Sequence, residues 1–146
     1  MATLPLEQAD LIANATLAKG RELGLAPLTV AVLDAGGHVI VLKRASGASI
    51  LRPQIATAKA WGALGMGFGG RELARRAQKA PAFFDALNAI SDGRMVPVAG
   101  SALLRSASGE LLGAIGVSGD TSDNDELCLL PAVRDAGLVP DTGDPA

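Results

Sequence analysis

Between Leu6 and Leu23 apolar residues return at helical spacing, with Leu11, Ile12, Ala15 and Ala18 carrying the stripe, until "LGLAP" interrupts it. The pattern predicts a first helix. Two β-branched runs follow, "LTVAVLD" from Leu28 to Asp34 and "HVIVLKR" from His38 to Arg44, joined by "AGG". The glycines supply the positive φ angles of a tight turn, so the pair reads as an antiparallel hairpin.

Next comes "RPQIATAKAWGAL", where Pro53 suits a helix start and the alanines and Leu64 favour helix over strand. This decides the meaning of "GMGFGG", Gly65 to Gly70, which fits the G-x-G-x-x-G pattern of dinucleotide-binding turns. That pattern holds a pyrophosphate only where a buried strand runs into it. Here a helix precedes it, and Asp85, spaced for a ribose contact, falls in another helical pattern, "PAFFDALNAI". The run reads as a bend between helices.

After helices near 71–78 and 82–90 and the turn "SDGR", two further strands are predicted in "MVPVAGSALLR" and "ELLGAIGVSG", separated by "SASG". A last helix follows in "TSDNDELCLLPAVRDAGLVP", with Thr121 or Ser122 at its cap, Gly137 just past its end and Pro140 beyond. The order is helix, hairpin, two or three helices, hairpin, helix. It predicts a single α+β domain over residues 1–146, an antiparallel sheet built from two hairpins with helices packed on it, profilin-like or PAS-like in outline.

Composition adds three expectations. Lys plus Arg number 13 against 15 Asp plus Glu, with one His and no basic block, which argues against nucleic acid as a partner. Apolar residues make up 49% of the chain and charged ones 19%, an apolar excess that predicts a homo-oligomer. "MATLPLEQADLI" lacks the features of a signal peptide, and no apolar run reaches the about 18 residues of a membrane span, so a soluble cytoplasmic protein without membrane partners is expected. Cys128 is the one cysteine, which excludes an internal disulfide and reads as a small buried helical residue; zinc-type spacings are absent.

Several residues carry chemistry. In "LLGAIGVSG" a period of two places Leu112, Ala114, Gly116 and Ser118 on one face, small enough to admit either a helix or a ligand. Ser118 and Gly119 then lead into a helix start, where free N–H groups suit an anion. Asp120, Asp123, Asp125 and Glu126 form an acidic cluster without the spacing of an EF-hand; capping accounts for one or two of them, and Asp125 and Glu126 are the candidates for pairing with a cation. Lys59 is the one charged residue between Arg52 and Arg71, on a face with Ile55 and Ala63. Arg44 ends a strand whose Ile40 and Leu42 point the same way, at the rim of the core. Ion pairs from Lys59 and Arg44 to the acids of the last helix are expected, with carboxylate recognition as the other use. His38, beside the hairpin glycines, reads as a solvated turn residue or as a ligand or base.

With these pieces placed, the chain resembles the GlcG/HbpS-like family of haem-binding or haem-degrading proteins, related to the C-terminal domain of PduO-type proteins. The resemblance covers nearly the whole chain and rests on "AVLDAGGHVIVLKRASGA", "ATAKAWGALGMG" and "LLGAIGVSGDTSDNDE" in that order. It implies an α+β profilin-like fold, assembly into dimers or larger rings, and a small-molecule ligand, with haem as the possible cofactor. Matched positions are Asp34, Gly36, Gly37 and His38, then Arg44, Gly47 and Lys59, then Gly116, Ser118, Gly119, Asp125 and Glu126. Departures fall at Ser46 and at Gly100, Ser101 and Leu103. The haem ligands this chain offers are His38, Met66, Met95 and Cys128, with His38 preferred. The leading reading is a protein that binds a tetrapyrrole or a small carboxylated metabolite through Arg44, Lys59, Gly116, Ser118, Gly119, Asp125 and Glu126. One alternative is a cofactor-free hydrolase, isomerase or lyase with Asp125, Glu126 or Lys59 as catalytic groups; another is an inert oligomerisation module.

Overall fold

The computed structural model describes residues 3–145. Helix α1 (Leu6–Glu22) precedes the hairpin β1 (Thr29–Asp34) and β2 (Val39–Arg44). Helices α2 (Arg52–Met66), α3 (Gly70–Lys79) and α4 (Pro81–Ile90) lead to the hairpin β3 (Ser101–Arg105) and β4 (Leu111–Ser118), then α5 (Ser122–Asp135) and β5 (Val139–Asp141). The strands form one antiparallel sheet in the order β2-β1-β4-β3-β5. This is the α+β architecture expected.

Helices cover both faces of the sheet, so its central strands are buried almost throughout. On one face α1 and α5 pack Ile12, Cys128, Leu129 and Val133 against Val30, Val32, Ile115 and Val117. On the other, α2 and α3 pack Ala60, Ala63 and Leu73 against Leu33, Leu103 and Ala114. Gly116 sets the position of α2, because a Cβ there would collide with the backbone oxygen of Ala56. A sheet residue without a side chain lets the helix backbone descend onto it.

The glycine run follows α2. Gly65 lies inside the helix, Gly67 ends it in the left-handed conformation (φ 78°), and Gly69 precedes α3. The chain bends from helix to helix at this point, as the alanine-rich run before it predicts.

Three expectations change. The first strand of the second hairpin begins at Ser101 rather than Met95, because Met95 turns into the core under Gly62 and Gly100 takes a positive φ of 106°. Val139–Asp141 forms a short edge strand on β3 where only a helix end was expected; Pro140 is tolerated there because an edge strand need not donate every N–H. Irregularities in two pairings, one between Val32 and Leu33 opposite β2 and one between Leu104 and Arg105 opposite β4, break the strict alternation. Leu112 therefore packs with the α1/α5 core while Ala114 faces the other core. Likewise Ile40 packs toward α1 and α5, while Leu42 lies on the α2 face.

Candidate functional site

Two clusters beside α2 gather most of the residues singled out from the sequence. The first lies where the N-terminal half of α2 crosses the ends of β1 and β4. Lys59 Nζ donates to Val117 O at 2.8 Å and to Asp125 Oδ2 at 3.2 Å, with side-chain exposures of 3% and 1% for the pair. Burial lowers the Lys59 pKa and raises that of Asp125, and their mutual attraction opposes both shifts. The other oxygen, Asp125 Oδ1, accepts from the backbone N–H of Asp120. The loop between β4 and α5 is thereby tied to α2 through one carboxylate.

Gly116, Ser118 and Gly119 sit at the same end. Ser118 Oγ accepts from Arg52 Nη1 at 3.0 Å. Gly119 passes so close to Pro27 and Leu28 that a side chain would meet their backbone. Arg44 does not pair with an acid of α5. Its Nη1 donates to Ala48 O at 2.8 Å instead, because the 45–51 loop folds back over the end of β2 and reaches it first.

Glu126 is absent from this cluster. It pairs with Arg71 of α3 at 3.0 Å, and Arg71 also binds Asp123 at 2.8 Å. Burial raises the Glu126 pKa against the pull of that arginine. Asp120 accepts from the Asn124 side chain and from the backbone of Ala26 and Thr121, which together hold its carboxyl below the usual range. Capping and pairing thus occupy all four acids of the expected cluster, and of the two expected cap residues Thr121 is the one that caps α5. Among the described residues no group of three or more His, Cys, Asp or Glu is arranged to hold a metal ion.

The second cluster is an open cleft of about 380 Å³. The flank of α2 supplies Pro53, Thr57, Ala58 and Trp61, the edge strand β2 supplies Leu42, and the turn after α4 supplies Arg94. The Arg94 guanidinium carbon stands 4.2 Å from the centre of the Trp61 ring, fixed by a 2.8 Å bond from Nε to Ser91 O. Trp61 also packs against Gly37 in the β1–β2 turn, the residue before His38. Sequence reasoning missed this wall: Pro53, Thr57 and Trp61 recur at intervals of four on α2, a stripe distinct from the sheet-facing one that includes Lys59.

Of the four candidate haem ligands, His38 alone presents its side chain freely, at 83% exposure, with Nδ1 3.2 Å from Asp34 Oδ1. Met95 and Cys128 are buried in opposite cores, Met66 packs partly buried beside the first of these, and burial pushes the Cys128 thiol up to about 11.

A family model described as haem degrading protein HbpS-like matches residues 4–134. The chain belongs to this family. A 15.0 kDa uncharacterised protein of Citrobacter freundii, from the dhaT-dhaS intergenic region, is 30% identical over 127 residues, 87% of either chain. Three solved structures share the family fold. The PduOC:heme complex has a TM-score of 0.83 at 26% identity, covering 97% of this chain and 99% of that one. The Klebsiella pneumoniae protein ORFY has a TM-score of 0.82 at 25% identity, covering 93% and 91%. HbpS has a TM-score of 0.78 at 29% identity, covering 92% and 90%. No helix among the described residues is long and apolar enough to cross a membrane.

Proposed function

We propose that the protein binds a flat, largely apolar small molecule bearing a carboxylate, with haem or another tetrapyrrole as the ligand to test first. The observation that carries this reading is the cleft beside α2, whose apolar walls are Leu42, Pro53, Ala58 and Trp61 and whose one cation is Arg94. Its volume lies within the range of small-molecule sites. Arg94 has free N–H groups for a carboxylate, Trp61 offers an aromatic face, and His38, which follows the Gly37 that Trp61 packs against, has its ring in solvent. The relative solved with haem gives the ligand class its support.

The residues present fit a weakly held tetrapyrrole. His38 would supply the imidazole and Arg94 would hold a propionate. Lys59 and Asp125 serve this reading as the brace that fixes α2 and so the cleft wall. They are paired with each other and closed to solvent, which favours that role over acid-base chemistry.

Titration with haemin, followed by the Soret band, tests the proposal. Trp61→Ala and Arg94→Ala are expected to weaken binding, and His38→Ala to change the spectrum of the complex. Tight binding unaffected by all three places the ligand elsewhere and defeats the reading.

The proposal takes the protein to be a cytoplasmic homo-oligomer. Ile50, Leu51 and Ile90 are 87%, 60% and 77% exposed, and their burial between copies would remove apolar surface from water. Sedimentation showing a monomer at micromolar concentration would remove this part of it.

A further inference from the structure

Among the described residues two buried side-chain oxygens have no hydrogen-bond partner, Ser101 Oγ and Thr29 Oγ1. Ser101 lies beneath Gly70, where an added Cβ would stand 2.6 Å from its oxygen, so the backbone of α3 closes over it. Thr29 is different.

Thr29 is paired in register with Arg44 on one side and with Ser118 on the other. Directly paired residues of neighbouring strands point to the same face. That face is the one under α2: Val30 and Val117, the next residues along, belong to the α1/α5 core, and Lys43 reaches Asp10 of α1. Arg52, in the first turn of α2, comes down on this face to reach Ser118. The fully buried Thr29 hydroxyl therefore shares a face with Arg44, its register partner on one side, and with Ser118, its partner on the other, to which Arg52 donates.

Neither arginine has a carboxylate within ion-pair distance among the described residues. Each makes one hydrogen bond through Nη1, which leaves its other N–H groups free. The 15-residue helix α2 begins without a side-chain cap and without an acid in its first turn, so the positive end of its dipole is not offset locally. Lys59 adds no free charge, because Asp125 neutralises it. An unsatisfied buried donor, two arginines lacking counter-ions and an uncapped helix start all call for the same thing, an acceptor carrying negative charge.

We propose that Thr29, Arg44, Arg52 and Ser118 form a site for a small oxyanion, a carboxylate or phosphate group, at the N-terminal end of α2. The site does not depend on the cleft reading, since it uses neither Trp61 nor Arg94. Thr29 Oγ1 donates to the anion, the two guanidinium groups flank it, and Ser118, held by Arg52, lines its edge. Arg44 is exposed, which leaves a route of entry from solvent.

The test uses the intact protein with sodium malonate and, separately, inorganic phosphate, against sodium chloride at matched ionic strength. Amide shifts and the thermal midpoint are read together. Saturable shifts at Thr29, Ser118 and the first turn of α2 support the site, and the tighter of the two probes assigns carboxylate or phosphoryl chemistry. Arg44→Gln and Arg52→Gln are each expected to weaken binding by about tenfold through loss of a charge-assisted contact. Thr29→Val, which keeps the side chain's shape, is expected to weaken binding while raising the midpoint of the anion-free protein, because it removes a buried hydroxyl that lacks a partner. Shifts that scatter over surface cations without saturating, an adventitious ion only, overturn the proposal. So does a Thr29→Val variant that binds both probes as the parent does. Haemin binding is measured separately, so the cleft and the anion site can fail independently.

Discussion

Lys59 of α2 and Asp125 of α5 meet at 3.2 Å across the end of β4, with almost no exposure on either side chain. Two helices from opposite faces of the sheet are joined through this contact, which also fixes Val117 O and the Asp120 N–H. Its energetics are those of a buried ion pair: removing one partner strands a charge, whereas removing both leaves an apolar contact.

Lys59→Met is accordingly expected to destabilise the fold by about 3–5 kcal/mol, far more than the about 0–1 kcal/mol of an exposed pair. The double variant Lys59→Met with Asp125→Leu should recover part of the loss, since no unpaired charge remains. Urea unfolding of the three proteins checks this; equal midpoints for parent and Lys59→Met would show that the pair contributes nothing.

Gly116→Ala is expected to lower stability by roughly 1–3 kcal/mol or more by overpacking. The added Cβ meets the backbone of Ala56 and Ala60, which cannot move aside as a side-chain tip can. Because α2 carries the cleft wall, haemin affinity should fall together with the melting temperature.

Asp34 accepts from the backbone N–H groups of His38 and Gly36, and the first of these is the main reason its pKa falls below the ordinary 3.8. A lowered carboxyl stabilises the fold above its ordinary range and loses that contribution as the pH falls through its folded value. Asp34→Asn should therefore flatten the acid limb of the stability profile below about pH 4 by no more than about 1 kcal/mol, because the group is partly solvated. Thermal melts between neutral pH and about pH 2.5 measure the slope, and an unchanged slope rejects the assignment.

Cys128 is fully buried in the α1/α5 core, and its thiol is pushed up to about 11, mainly by burial. The native protein should react negligibly with a thiol reagent at about pH 8 and fully once unfolded. Fast labelling under native conditions would mean that α5 opens readily.

The local pattern of the chain determined its elements and several of their boundaries. The glycines of "AGG" marked the first hairpin, the alanine-rich run before "GMGFGG" excluded a strand-to-helix phosphate turn, and Thr121 with its following acids marked the start of α5. An isolated lysine on an apolar helix face announced a buried partner, because an ammonium group cannot be left unpaired in a core. What the sequence could not decide depends on register and on contacts between distant segments. A single irregularity in each of two strand pairings changed which residues share a face, separating Ile40 from Leu42 and Leu112 from Ala114. The competition for Arg44 was settled by how closely the 45–51 loop folds, and the cleft exists because a turn beyond α4 brings Arg94 over Trp61. Thr29 looked like an ordinary strand residue until pairing set it between Arg44 and Ser118. Period and propensity act within a few residues of chain, whereas burial, pairing and charge compensation are properties of neighbours that only folding brings together.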